Sequence, residues 1–311
     1  MNIVVYGYYY KNNIGDQLFI EAFKELFPKY NFAFVNHLTE PVLKNADAVF
    51  FGGGSLLFDT PNIDNLSLLK QKKIFYIGIG VEDEINPIHL ELMSLSKLIV
   101  IRNEDKLDYI SNLNKNVIYA PDIVYSLINN CVLNEIKPKS ILFIPNAHLV
   151  PKNNDPLWKY NLWEYYKSEF SQFLDYLIEN KYTIDMFPMC NSKHVNDTWA
   201  GIEIFNRMIT YSRCNIVNVP DDFKNISSVF SKYESIISSR FHGIILANMV
   251  NRPCLTVKHH DKLNYGDNII QLNQLNKPTL IKMFFDLKNK KCVYKEDTFK
   301  KMCDKVNNLL I

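Results

Sequence analysis

The chain has 311 residues, 47% hydrophobic and 22% charged, with a formal net charge of +2. That length predicts one large domain or two of roughly 150 residues, and the near-neutral balance gives no general pull toward nucleic acid or anionic lipid. No apolar run reaches the ~18–20 residues a membrane helix needs, and the opening Met1-Asn2-Ile3-Val4-Val5-Tyr6 reads as a strand rather than a signal peptide, so a cytoplasmic location is expected.

In chain order, residues 2–6 form a buried strand of the parallel type. Residues 7–14 are a loop, and Gly15-Asp16 leads into a helix whose apolar positions (Leu18, Phe19, Ala22, Phe23, Leu26, Phe27) recur at helical spacing until Pro28 stops it. Asp16 stands where an N-cap would, and reads either as the cap or as a substrate contact. Strands follow at 31–35 and 48–51. The second enters Gly52-Gly53-Gly54-Ser55-Leu56-Leu57, where glycines let backbone N–H groups approach a ligand or simply make a tight turn. This is neither a P-loop nor a spaced GxGxxG. A strand at 74–79 ends in Gly78-Ile79-Gly80, and another at 98–101 delivers Arg102 ahead of a helix at 104–111. A strand at 117–119 leads to Ala120-Pro121-Asp122. The alternation predicts a doubly wound parallel sheet with its functional loops at the strands' carboxyl ends.

Residues 129–140 have the character of a linker. A second α/β unit then begins with a strand at 140–144 and a long polar loop, 145–159, that holds His148. Next come a helix at 162–180, a strand at 182–187, a helix at 203–210, a strand at 215–219 and a helix at 223–232. The chain's focus is 234–262. A strand ends at Ile236-Ile237, Ser238-Ser239-Arg240 turns, and a helix runs to about Met249. Pro253 opens a strand at 254–257 that empties into the cationic loop Lys258-His259-His260-Asp261-Lys262. Arg240 and His242 therefore sit at a helix N-terminus, where outward N–H groups and the helix dipole favour an anion. Helices are predicted near 278–287 and 297–309.

Each of these residues also has a structural reading. Arg240 and His242 could start a helix, Lys262 could be a surface lysine, and Arg102 could cap the next helix or pair with Glu104 or Asp105. His259 and His260 read as solvated or acceptor-facing, and His148 and His194 as loop residues of the second half. The six cysteines (131, 190, 214, 254, 292 and 303) form no CxxC and read as reduced structural thiols, with no metal site expected.

The blocks Asn13-Ile14-Gly15-Asp16, Gly52-Gly53-Gly54-Ser55-Leu56-Leu57, Ile77-Gly78-Ile79-Gly80, Arg102, Ala120-Pro121-Asp122 and Ser238-Ser239-Arg240-Phe241-His242-Gly243, with Pro253 and Lys262, resemble the polysaccharide pyruvyl transferase family. The Ser-x-Arg-x-His-Gly block is the most specific of them. The sequence departs from the family pattern at Gln17, in the loop before Lys262 and over 129–200. The resemblance implies an α/β fold of two Rossmann-like domains facing across a cleft, GT-B-like, with boundaries at 1–136 (acceptor side) and 137–311 (phosphoenolpyruvate side) and the last helix packing back on the first domain. It implies transfer of the enolpyruvyl group of phosphoenolpyruvate to a sugar as a pyruvate ketal, in surface-glycan biosynthesis. Arg102, Arg240, His242 and Lys262 would hold phosphoenolpyruvate, with His242 catalytic. Asn13, Gly15, Asp16, Gly53, Gly54 and Ser55 would line the acceptor side. The acceptor would be a hexose or N-acetylhexosamine on a nucleotide, lipid or oligosaccharide. No cofactor, metal, nucleic acid or membrane segment is expected. Two alternatives share the pattern: a GT-B glycosyltransferase with a nucleotide-sugar donor, and a non-catalytic sugar-binding homologue.

Overall fold

The computed structural model describes residues 1–263, 268–287 and 296–311. The chain divides into two compact units, residues 1–129 with the C-terminal helix and the intervening part from Asn130. The division falls ahead of the expected 136/137 boundary because the segment between is tied to the second unit. The Val132 N–H donates to Ser227 Oγ and the Asn134 N–H to Ser231 Oγ.

The first unit runs β1 (Asn2–Tyr6), α1 (Ile14–Leu26), β2 (Asn31–Val35), α2 (Glu40–Asn45), β3 (Ala48–Gly54), α3 (Leu66–Leu69), β4 (Lys73–Ile79), α4 (Pro87–Leu95), β5 (Leu98–Ile101), α5 (Leu107–Ser111) and β6 (Val117–Tyr119). Its six strands are all parallel in the order β2-β1-β3-β4-β5-β6. β3 and β5 are buried along their whole length, as the unbroken apolar runs predict for strands covered on both faces. Val4, Phe51, Tyr76, Ile99 and Leu92 lie in one core cluster.

The second unit runs β7 (Lys137–Ile144), α6 (Leu157–Glu179), β8 (Thr183–Met186), a small hairpin of β9 (Asn191–Ser192) and β10 (Val195–Asn196), α7 (Asp197–Phe205), β11 (Cys214–Ile216), α8 (Phe223–Ser231), β12 (Tyr233–Ser238), α9 (Phe241–Met249), β13 (Cys254–Lys258), β14 (Asn268–Gln271) and α10 (Lys277–Phe285). Its main sheet is again six parallel strands, in the order β11-β8-β7-β12-β13-β14. The aromatic side of α6 (Tyr166, Phe170, Phe173) packs with Phe143 and Ile184 in the core. A last helix, α11 (Glu296–Leu310), belongs to the first unit. There Cys303 donates to the Leu26 carbonyl, Tyr30 to Asn307, and the Lys73 ammonium to the Leu310 carbonyl.

The structure differs from the sequence reading in several elements. The helix expected at 203–210 starts instead at Asp197, because Asn196 caps it by accepting the Trp199 N–H. α6 begins at Leu157, inside the expected polar loop, and β7 begins at Lys137, inside the expected linker. α2, α3, α4 and β14 are too short or too weakly patterned to have been read. Among the described residues no helix is long and apolar enough to cross a membrane.

Candidate functional site

In open parallel sheets ligands bind beyond the carboxyl ends of the strands, at the point where strand order reverses. The first sheet reverses between β1 and β3, and the second between β7 and β12. Every block singled out in the sequence lies at one of these two edges or beside it.

At the first edge Asn13, not Asp16, caps α1, its side chain accepting the Gly15 N–H at 3.1 Å. Asp16 falls in the first turn, where its charge complements the helix dipole. Gly53 has φ +72°, and a Cβ there would lie 2.3 Å from the ring of Phe19 on α1. Only glycine permits both that backbone and that approach. The strand ends are stitched together, Gly80 N–H to the Gly54 carbonyl and Arg102 N–H to the Ile79 carbonyl, each at 2.9 Å.

Arg102 is 4% exposed. Its Nη1 donates to Asp122 at 2.7 Å and its Nη2 to Ser55 Oγ at 3.3 Å. The partner is thus Asp122, rather than Glu104 or Asp105. Asp122 also accepts the Val124 N–H, so the pair ties together the segments after β3, β5 and β6. Tyr8 donates to Asp59 at 2.5 Å and Tyr9 to the Gly52 carbonyl at 2.6 Å. Burial raises the pKa of both phenols, and the charges of Asp59 and Asp16 at Tyr8 and of Asp16 at Tyr9 raise them further.

The second edge gathers loops from four strands. After β12, the Ser238 hydroxyl accepts the Arg240 N–H and donates to the Arg240 carbonyl, shaping the turn into α9. A Cβ on Gly243 would lie 2.4 Å from that hydroxyl, which accounts for the glycine ending the Ser-x-Arg-x-His-Gly block. Arg240, at the N-cap of α9, places Nε 2.9 Å from Asp197 Oδ2 and donates Nη2 to Oδ1. Asp197 is fully buried. It also accepts the Ala147 N–H after β7 and the Cys190 N–H after β8, each at 2.9 Å.

Asn146, two residues past the end of β7, donates to the Ser239 carbonyl at 2.8 Å and meets His259 Nε2. His242 is half-buried in the first turn of α9, its ring edge-on to Phe241 with centroids 5.2 Å apart. Lys262 follows His260, whose Nδ1 accepts the Lys262 N–H.

The electrostatics of this edge are cationic. His259 has its pKa lowered to about 4 by burial first, then by the charges of Lys262, His260 and Arg240. His148 keeps an exposed surface, yet desolvation, followed by the charges of Arg240, Lys262 and His259, brings its pKa to about 4 as well. Both rings are neutral at pH 7. Arg240, Lys262, His148 and His259 are therefore neighbours, and His259 is packed rather than solvated; His260 is exposed. Arg102, with Asn13, Gly15, Asp16, Gly53, Gly54 and Ser55, belongs to the first unit, and Arg240, His242 and Lys262 to the second.

Sequence reading missed Asp197 and Asn146 as site residues and did not single out Asp122 as the Arg102 partner. An aspartate opening a helix and an asparagine just past a buried strand were the only signals available. Among the described residues no group of three His, Cys, Asp or Glu side chains is placed to hold a metal ion. Cys190, Cys214, Cys254 and Cys303 are free thiols, and Cys292 lies outside the described residues. Burial pushes the thiols of Cys214, Cys254 and Cys303 up to about 12.

The fold is shared with solved nucleotide-sugar enzymes at low identity. UDP-GlcNAc 2-epimerase from Methanocaldococcus jannaschii is 12% identical, with 99% of each chain covered and a TM-score of 0.62. The Neisseria meningitidis UDP-GlcNAc 2-epimerase, bound to UDP-GlcNAc, is 11% identical over 99% of this chain and 100% of that one, with a TM-score of 0.58. A putative UDP-N-acetylglucosamine 2-epimerase from Listeria monocytogenes is 11% identical over 98% and 91%, with a TM-score of 0.59. These likenesses establish two Rossmann-like domains of the GT-B kind. No curated protein matches the chain. The family described as polysaccharide pyruvyl transferase matches residues 13–261, a span that runs from the Asn13 cap of the first edge to the cationic loop of the second, and the chain belongs to that family.

Proposed function

We propose that this protein transfers the enolpyruvyl group of phosphoenolpyruvate to two hydroxyls of a sugar, forming a cyclic pyruvate ketal during surface-glycan synthesis. The observation that carries the reading is the convergence of Arg240 and Lys262 on two neutral histidines at the switch point of the second sheet. Phosphoenolpyruvate presents a phosphate and a carboxylate on one small enol, which calls for fixed cations and helix N-terminal donors. Asp197 holds the Arg240 fork in place, and Lys262 supplies a compact charge. The family resemblance extends the donor set to Arg102, whose guanidinium Asp122 immobilises.

In this reading His242 gives a proton to the methylene carbon, and positive charge develops at the adjacent carbon. A sugar hydroxyl adds there and loses its proton, and the C–O bond to phosphate breaks. The second hydroxyl then closes the ring. One hydroxyl proton reloads the acid and the other leaves with inorganic phosphate, so atoms and charge balance without a redox step. An imidazole suits the acid role because its ordinary pKa lies near neutrality. The acidic, glycine-lined edge of the first unit favours an uncharged hexose or N-acetylhexosamine over an anion, with Asn13, Gly15, Asp16, Gly53, Gly54 and Ser55 as its nearest groups. The nucleotide-sugar ligand of the Neisseria meningitidis epimerase fits an acceptor carried on a nucleotide.

Thermal unfolding with phosphoenolpyruvate, inorganic phosphate and a nucleotide-sugar in turn tests the reading, since a ligand of the native state raises the midpoint with its concentration. Phosphoenolpyruvate should stabilise the wild type, and less so Arg102→Ala or Lys262→Ala. Phosphate release should then require a sugar acceptor. Stabilisation by the nucleotide-sugar with none from phosphoenolpyruvate would sink the reading in favour of a glycosyltransferase.

A further inference from the structure

The network around Asn146 fixes a histidine tautomer. Asn146 is 2% exposed. Its Oδ1 accepts the His148 backbone N–H at 2.9 Å, and its Nδ2 donates to the Ser239 carbonyl at 2.8 Å. Exchanging the amide oxygen and nitrogen would set donor against donor and acceptor against acceptor, so the orientation is decided by its partners. The same Nδ2 meets His259 Nε2. An N–H aimed at that nitrogen requires it to be an acceptor, without a proton of its own. In the neutral ring the proton is then on Nδ1. That nitrogen is buried and has no hydrogen-bond partner among the described residues. A buried donor left unsatisfied costs free energy and calls for an explanation.

We propose that His259, locked by Asn146 as its Nδ1–H tautomer, is an additional uncharged hydrogen-bond donor to the anion held between Arg240 and Lys262. The proposal rests on reading this edge as the phosphoenolpyruvate site and adds a residue to it. The bound anion supplies the acceptor that Nδ1 lacks. A proton taken up at Nε2 would cost the ring its Asn146 donor, in accord with a pKa lowered to about 4 by burial and then by Lys262, His260 and Arg240. The ring therefore donates without adding a third charge beside Arg240 and Lys262. Such a donor orients the phosphate without the added charge by which a further cation would hold the departing phosphate more tightly.

Nitrogen-15 NMR of the histidine rings in the full chain, without and with phosphoenolpyruvate, tests the tautomer directly. His259 should carry its proton on Nδ1, and the Nδ1 resonance should move when ligand is added. A proton on Nε2, or a ring unmoved by bound ligand, overturns the proposal. Binding by calorimetry gives the second arm, with folding of each variant confirmed by its urea midpoint. His259→Ala should weaken phosphoenolpyruvate binding about tenfold, as expected for a hydrogen bond to a charged group. His259→Asn, whose Nδ2 takes the place of the imidazole Nδ1, should recover most of it, whereas His259→Gln should not. Equal affinity in His259→Ala and wild type overturns the proposal alone. Wild type that binds inorganic phosphate but not phosphoenolpyruvate overturns the functional reading, and the same variants are then compared with phosphate. Wild type that binds neither overturns both.

Discussion

At the carboxyl edge of the first sheet, carboxylate charge acts on the phenols, that of Asp59 on Tyr6 and Tyr8 and that of Asp16 on Tyr8 and Tyr9. At the corresponding edge of the second sheet, the charges acting on His148 and His259 come from Arg240, Lys262 and other basic groups. Both edges are otherwise built alike, from parallel strands ending in a strand-order reversal, and each contains one arginine paired with one buried aspartate. The arginine therefore does not set the sign of the edge, because its aspartate offsets it. The remaining side chains decide: carboxylates and phenols on one side, lysine and imidazoles on the other. An acidic edge suits the hydroxyls of a neutral sugar and a basic one suits a small dianion, which is the division of labour the proposed reaction needs.

The two Arg–Asp pairs differ in how much hangs on the aspartate, and the largest predicted effect lies there. Asp197→Ala strands a guanidinium that is 13% exposed and removes the acceptor of two backbone N–H groups. It should cost about 3–5 kcal/mol, as expected when one partner of a buried pair is removed, read as a lower urea midpoint. A loss below about 1 kcal/mol would mean that Arg240 finds another acceptor, and the two edges would then differ more than argued. Gly53→Ala should cost about 1–3 kcal/mol for its positive φ alone, with the Phe19 contact adding to it. A neutral outcome would show that the first edge yields where it is argued to be rigid.

Lys262→Ala sharpens the contrast in charge. It should weaken phosphoenolpyruvate binding about tenfold, equivalent to about 1.4 kcal/mol, while stability stays within about 0.5 kcal/mol. Calorimetry with an uncharged hexose acceptor should show no change in the same variant. Asn13→Ala removes the cap of α1 and should cost about 1 kcal/mol without altering phosphoenolpyruvate affinity.

The smallest effect is a slope with pH. His89, His148 and His259 all have folded-state pKa values lowered to about 4, in each case with burial as the first cause. An unfolded histidine titrates near 6.5, so between pH 6.5 and about 4 the unfolded chain binds more protons than the folded one. Stability should therefore rise with pH across that window and fall as the solution is acidified through it. Urea midpoints from pH 7 to 4.5 should show this, with a shallower slope in His259→Asn.

The sequence alone determined the class of fold and the segments that matter. Continuous apolar runs such as Leu98-Ile99-Val100-Ile101, helical spacing from Leu18 to Phe27, and glycines directly after a buried strand are local properties of the chain. They place Arg102, Arg240 and Lys262 at strand ends without any knowledge of strand order. Short helices such as Leu66–Leu69 carry too few residues to show a period, and α7 was read late because its start depends on Asn196. Only the tertiary structure decided which charges meet. Asp122 stands 20 residues from Arg102, Asp197 stands 43 from Arg240, and Asn146 stands 113 from His259. Those pairings follow from strand order, and strand order is fixed by burying both faces of each sheet at once, which no local stretch of sequence encodes.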